Sequence, residues 1–127
     1  MQSVTLNQSD WIRDCIRAST DDSFFEVFRQ SESFQRVTEG SLTEWGEYHL
    51  TQLLKYPLFH SILDSCVRQD LIGSPLKQIL FQVAEKQHRI SPTSLRYLRN
   101  SFNILELFGN ALGNCAIHEI GGGMVVT

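Results

Sequence analysis

The residue types best suited to chemistry lie near the end of the sequence, in Ile117-His118-Glu119-Ile120-Gly121-Gly122-Gly123. An apolar stretch that ends in an acidic residue and a glycine loop suits the first strand-to-helix turn of an α/β cofactor-binding domain. Glycines allow a sharp turn and a close approach of backbone to ligand, and Glu119 supplies charge at the strand end. A lone glycine triplet is a weak signal, with an ordinary chain tail as its competitor. The other reactive side chains form no comparable pattern. Cys15, Cys66 and Cys115 are odd in number and far apart, with no Cys-x-x-Cys pair. They read as small reduced hydrophobes, and no metal site is expected. His49, His60, His88 and His118 lack the His-x-x-x-His spacing that sets two imidazoles on one helical turn. They read as packing or surface residues.

The elements that must position this loop are expected to be helices. Asn7-Gln8-Ser9-Asp10 offers a cap before a helix with Trp11, Ile12, Cys15 and Ile16 on one face. Ser19 to Asp22 breaks it, Phe24, Phe25 and Phe28 make the next stripe, and Phe34 and Val37 fall in a further short turn. Ser41 or Thr43 can cap a helix whose aromatic stripe, Trp45 and His49 with Leu53 and Leu54, reads as core. Pro57 interrupts that run, and a helix from Leu58 to about Gln69 presents Phe59, Ile62, Leu63, Cys66 and Val67. Ser74-Pro75 and Ser91-Pro92 each place a hydroxyl cap before a proline at the first helical position. The spacing predicts a helix carrying Leu76, Ile79, Leu80 and Val83, and a longer one carrying Leu95, Leu98, Phe102, Leu105 and Phe108. Gly109 stops the latter, Gly113-Asn114 turns the chain, and a strand is expected over Cys115 to Ile120.

Composition sets the outer limits. A chain of 127 residues, 42% hydrophobic and 20% charged, suffices for one packed core. Its net charge of -3, with scattered Lys and Arg, gives no basic face for nucleic acid. No apolar run is long enough to span a bilayer, and the first residues do not resemble a signal peptide, so a cytoplasmic location is expected.

Three segments together carry a family resemblance: Ile90-Ser91-Pro92-Thr93-Ser94-Leu95-Arg96-Tyr97-Leu98, then Leu105-Glu106-Leu107-Phe108-Gly109, then Ile117 to Gly123. Ser-Pro-Thr-x-Leu-Arg-Tyr, coupled at this distance to Glu-Ile-Gly-Gly-Gly, resembles the sugar O-methyltransferases of bacterial polysaccharide clusters. The match covers residues 90 to 123. It implies a class I methyltransferase fold, S-adenosylmethionine as cofactor and a sugar or glycan hydroxyl as methyl acceptor. In that site the loop Gly121, Gly122, Gly123 packs beneath the amino-acid end of the cofactor, and Glu119 lies near its ammonium group. Arg96 and Tyr97 fall in the matching segment and become candidates for substrate contact. A structural role for Arg96, pairing with Glu106 or a neighbouring carboxylate, is the competing reading. Ser91 and Thr93 are expected to cap the helix. No residue is assigned as the base, His60 and His88 qualifying only by chemistry. The family's loop continues with an aromatic residue and further glycines, whereas Met124, Val125, Val126 and Thr127 follow here. Val125 disfavours the positive φ such a turn requires.

The expected fold class is therefore mainly α. A helical N-terminal domain over 1–113 is followed, over 114–127, by the first strand and glycine loop of a truncated Rossmann-like α/β methyltransferase domain. On this reading the chain is the N-terminal part of an S-adenosylmethionine-dependent sugar O-methyltransferase, inactive and without bound cofactor by itself because the later strands are missing. The alternative is a non-enzymatic helical interaction or oligomerisation module with self-association through exposed apolar stripes. A phosphate-binding use of the glycine turn is disfavoured, because no Gly-Lys-Ser/Thr follows.

Overall fold

The computed structural model describes residues 8–116 and 118. Among these the chain is mainly helical with one small antiparallel sheet, in the order α1 (Gln8–Thr20), α2 (Asp22–Phe25), a 3₁₀ turn (Phe28–Gln30), α3 (Glu32–Val37), α4 (Thr43–Leu53), α5 (Pro57–Asp70), β1 (Ile79–Val83), β2 (Lys86–Ile90), α6 (Pro92–Phe108) and a second 3₁₀ turn (Leu112–Asn114). No helix among the described residues is long and apolar enough to cross a membrane.

Local chemistry sets most helix starts. Asp21 caps α2 by accepting from the Phe24 N–H at 3.2 Å, and Ser31 caps α3 by accepting from the Phe34 N–H at 3.4 Å. Proline at the first turn pre-sets φ for α5 and α6, and the residues ahead of each, Tyr56 and Ser91, are extended. The start of α4 departs from expectation. Leu42 occupies the cap position without a side-chain hydrogen bond, and the Ser41 hydroxyl oxygen is buried without a partner.

Two apolar clusters form the core. The larger joins Leu50 and Leu53 of α4, Phe59 and Leu63 of α5, Ile79 and Ile90 of the sheet, and Leu95 and Phe102 of α6. The α5 stripe behaves as its spacing predicts, with Ile62, Cys66 and Val67 packed on this cluster. The smaller joins Phe24, Phe28 and Phe34, covered by Trp11, Cys15, Ala18 and Ile72. Here the expected α1 face is rotated: positions 11, 15 and 18 pack inward while Ile12 and Ile16 are exposed. Burial pushes the Cys15 and Cys66 thiols above their ordinary range, with Asp14 adding to the rise at Cys15. Both therefore stay protonated and inert near neutrality. Cys115 is exposed and its backbone is extended, while Ile117, Glu119 and Ile120 of the expected strand lie outside the described residues.

The helix expected from Leu76 to Val83 does not form. In its place β1 and β2 make a hairpin in the register Ile79↔Ile90 through Val83↔Lys86. Ile79, Phe81 and Val83 pack on the core, whereas Leu76 and Leu80 are exposed, so the operative period is two. The turn is Ala84-Glu85, with φ of 51° and 66°. Two consecutive left-handed residues are the type I′ geometry that matches strand twist, here built without its usual Asn or Gly. Such a conformation costs an L-residue with Cβ roughly 1–2 kcal/mol. Replacing Ala84 by Asn together with Glu85→Gly is expected to stabilise the fold by about 1 kcal/mol or more, read as a higher urea midpoint. An unchanged or lower midpoint contradicts this turn geometry.

Candidate functional site

Of the residues the sequence singles out, Glu119, Gly121, Gly122 and Gly123 lie outside the described residues. The structure places Arg96 and Tyr97 in the second turn of α6, beside α4. Arg96 does not pair with Glu106: ten residues along one helix separate them by about 15 Å. Glu106 accepts instead from the Tyr56 hydroxyl at 2.6 Å, and Arg99 Nη1 approaches the same hydroxyl at 3.5 Å. Among the described residues neither Arg96 nor Arg99 forms an ion pair. The Arg96 guanidinium lies 5.1 Å from the centre of the exposed Tyr97 ring.

The neighbouring helix α4, packed along α6, carries a set of aromatic side chains, of which His49 lies within electrostatic reach of both arginines. Trp45, Tyr48 and His49 sit at i, i+3 and i+4, one helical face. The Trp45 and Tyr48 rings stand perpendicular with centres 6.1 Å apart, and the His49 ring is 6.5 Å from Trp45 and 5.8 Å from Tyr48. The stripe was expected in the core, yet Trp45 is 60% and Tyr48 51% exposed. The reason is the close approach of α4 to its neighbours at Gly46. A Cβ there would stand 2.6 Å from Ile79 Cδ1 and 2.9 Å from Pro92 Cβ. The helix face carrying Gly46, Leu50 and Leu53 takes the core, and Trp45 and Tyr48 turn outward with His49 half-buried between the two faces.

His49 is half-buried, and its Nδ1 is buried without a hydrogen-bond partner. Desolvation, followed by the charges of Arg99 and Arg96, lowers its pKa below the ordinary 6.5. A neutral imidazole is thus held beside two cations. As pH falls below 6.5 the unfolded chain takes up this proton before the folded one does, so the His49 contribution is present above that value and lost on acidification. His49→Gln is expected to flatten the stability profile on the acid side of 6.5 relative to the parent, measured by urea unfolding across pH. Parallel profiles for the two proteins contradict the assignment.

The remaining expected candidates are structural. His88 is buried on β2, its ring 5.5 Å from that of Phe81 and nearly parallel to it. The His60 Nε2 is bonded to the Leu54 carbonyl at 2.7 Å. Neither is presented as a base. A cleft of about 340 Å³ between α1 and α3 is lined by Trp11, Arg13, Arg17 and Arg36 among others. Its cations are already matched, Arg13 by Asp10, Arg17 by Asp21 and Arg36 by Glu32.

Ser91 does cap α6, but with a second role. Its hydroxyl accepts from the Ser94 N–H at 3.2 Å and from Arg29 Nη2 at 2.9 Å, and donates to Asp70 Oδ1 at 2.6 Å. Thr93 does not cap: it is buried and donates to the Thr38 carbonyl at 3.1 Å. Around Ser91 the buried guanidinium of Arg29 meets two buried carboxylates, Glu39 and Asp70, and also donates to the Asp70 carbonyl oxygen. Asp70 further accepts from the Ser94 hydroxyl, the Ser91 N–H at 2.8 Å and Gln78 Nε2 at 3.3 Å. The positive end of the α6 dipole adds to this compensation. Thus the Ser-Pro-Thr segment, singled out as part of a catalytic family's pattern, serves here as a structural lock. Asp70→Asn removes one of two charges facing Arg29 and puts a donor where Oδ accepts, and is expected to cost about 3–5 kcal/mol in chemical unfolding. A loss below about 1 kcal/mol contradicts a buried pair.

The residues missed in the sequence are Tyr48 and Arg99, together with the outward direction of Trp45. Their only sequence signal is the one-face spacing of 45, 48 and 49, which equally fits a core stripe. Comparison with protein-family models, with curated proteins and with solved structures gave no match.

Proposed function

We propose that this chain is the amino-terminal part of an S-adenosylmethionine-dependent sugar O-methyltransferase. The observation that carries the reading is the pairing of Ser91-Pro92-Thr93-Ser94-Leu95-Arg96-Tyr97 with Glu119-Ile120-Gly121-Gly122-Gly123 at a fixed distance along the chain. In support, the first motif opens a long helix that packs on α4 and whose second turn carries Arg96 and the exposed Tyr97, side chains available for acceptor contact. The cofactor role of Glu119 and the three glycines belongs to the same proposal, and the transferred methyl goes to a sugar hydroxyl. As part of the same proposal, no methyl transfer is expected from these 127 residues by themselves, because that chemistry also needs an acidic strand end to hold the ribose hydroxyls.

The test begins with the source DNA, read through and beyond codon 127 in all three forward frames. A frame that resumes with a glycine, a helix and a strand ending in an acidic residue is expected. Its full product should move radiolabelled methyl from S-adenosylmethionine to glycan, while the 127-residue chain does not. Methyl transfer or micromolar cofactor binding by the short chain overturns the account of its missing parts, and the absence of any such frame overturns the enzyme reading.

A second reading, a helical self-association module, is favoured by the end of α6. Leu107 is 74% and Phe108 55% exposed, with Ile104 and Leu105 also outward. Apolar residues all round a helix end call for a cover. Light scattering that stays monomeric with rising concentration excludes it.

A further inference from the structure

We propose that the outward face shared by α4 and α6 binds an anionic sugar, its ring seated on Trp45 and Tyr48 and its phosphate or carboxylate held by Arg96 and Arg99. That the bound sugar is the methyl acceptor rests on the proposed function; the binding surface itself is read from the two helices.

Four observations converge on this face. The first is shape: the Trp45 and Tyr48 rings meet at 89°, making an open corner of two apolar walls. A pyranose has one face of C–H bonds that can lie on an aromatic plane while its hydroxyls remain in water, and an aromatic corner left exposed has the surface such a ring covers. The second is charge. The chain carries an overall -3, yet Arg96 and Arg99 form no ion pair among the described residues. Glu44 and Glu47, on α4 itself, are paired with neither. Arg99 makes one long contact, 3.5 Å to the Tyr56 hydroxyl, which is already committed to Glu106. Two guanidinium groups one helical turn apart suit bidentate bonding to a phosphate or carboxylate.

The third observation is the unsatisfied Nδ1 of His49 between the rings and the arginines. A buried ring nitrogen without a partner is costly, and a bound hydroxyl brought against the imidazole edge offers the missing bond after modest side-chain adjustment. Being held neutral beside two cations, His49 leaves the local charge to the arginines. The fourth is contrast. The charged cleft between α1 and α3 has its arginines matched by carboxylates, whereas Arg96 and Arg99, like Arg68 and Arg89 elsewhere, pair with none among the described residues.

The experiment is an NMR titration of the 127-residue protein, reading the indole N–H of Trp45 with Trp11 as internal control. The probes are glucose 1-phosphate, glucuronate, glucose and inorganic phosphate, with no S-adenosylmethionine present. The expected result is a saturable shift of Trp45 alone with glucose 1-phosphate or glucuronate, at least about tenfold tighter than with glucose or with phosphate. Saturation by only one of the two charged sugars identifies which anion is recognised. Arg96→Gln with Arg99→Gln should bring the charged sugars to the level of glucose, and Trp45→Ala should bring them to that of phosphate, read from the amide signals. These side chains lie outside the core, and an unchanged amide spectrum elsewhere establishes that each variant is folded.

Equal binding of glucose and glucose 1-phosphate overturns the role of the arginines. Phosphate binding as tightly as glucose 1-phosphate means an adventitious ion only. No Trp45 shift with either charged sugar overturns the site. Because no methyl donor is present, these outcomes leave the methyltransferase reading to be judged by the transfer assay on the longer product.

Discussion

A single guanidinium organises this fold. Arg29 leaves a 3₁₀ turn, enters the interior, and there meets Glu39, the side chain and carbonyl of Asp70, and the Ser91 hydroxyl. Taking these charges out of water is expensive, and the arrangement persists only where geometry and hydrogen bonding repay the desolvation. That requirement fixes distant parts of the chain relative to one another: the loop after α3, the end of α5, the approach to β1 through Gln78, and the start of α6. The backbone cooperates, since the Gly73 carbonyl accepts from the Arg29 N–H at 3.0 Å and Gly73 itself has φ of 79°. A Cβ at Gly73 would meet the Phe28 ring at 2.6 Å, so the ion cage and the smaller aromatic cluster share one wall.

With the start of α6 locked in this way, the direction of α4 follows. Pro92 lies between Ser91 and Ser94 of the cage, and Gly46 lets α4 come against it and against Ile79. Close approach of this kind rotates the helix about its axis, directing Leu50 and Leu53 into the larger cluster and the aromatic residues outward. The exposed face is thus an outcome of packing elsewhere. An aromatic residue turned outward by core geometry is available for recognition without weakening the core that turns it.

The helices with strong local signals are legible in the sequence. Apolar residues at i, i+3, i+4 and i+7 locate α5 and α6 and Ser91-Pro92 marks the start of α6, whereas the same Ser-Pro signal at 74–75 opens no helix. The hairpin is not, for two physical reasons. Leu76, Ile79, Leu80 and Val83 fit the helical period by coincidence, and Ala84-Glu85 carries none of the residues that ease positive φ. Tertiary pairing with residues 86–90 decides the matter, and such pairing leaves little trace in a window. Arg29 is equally silent, since nothing near it in sequence distinguishes a buried arginine from a surface one. For the site, Arg96 and Tyr97 are legible through a motif. Tyr48 and Arg99 become visible only when α4 and α6 lie side by side, and the glycine-loop residues 121–123 fall outside the described region.

The cage around Arg29 also constrains how the protein is made. Its members span residues 29 to 94, so a nascent chain leaving the ribosome exposes Arg29, Glu39 and Asp70 well before Ser91 and Ser94 emerge to complete their bonding. Until then the first cluster of phenylalanines has its ring-lined wall but not the closed cage beside it. Closure over so long a separation carries a loop-entropy cost that is recovered only when α6 docks. Synthesis through α6 therefore precedes the locked fold, and a stall before Ser91 presents the cell's proteases with a chain whose charged centre is still open to water.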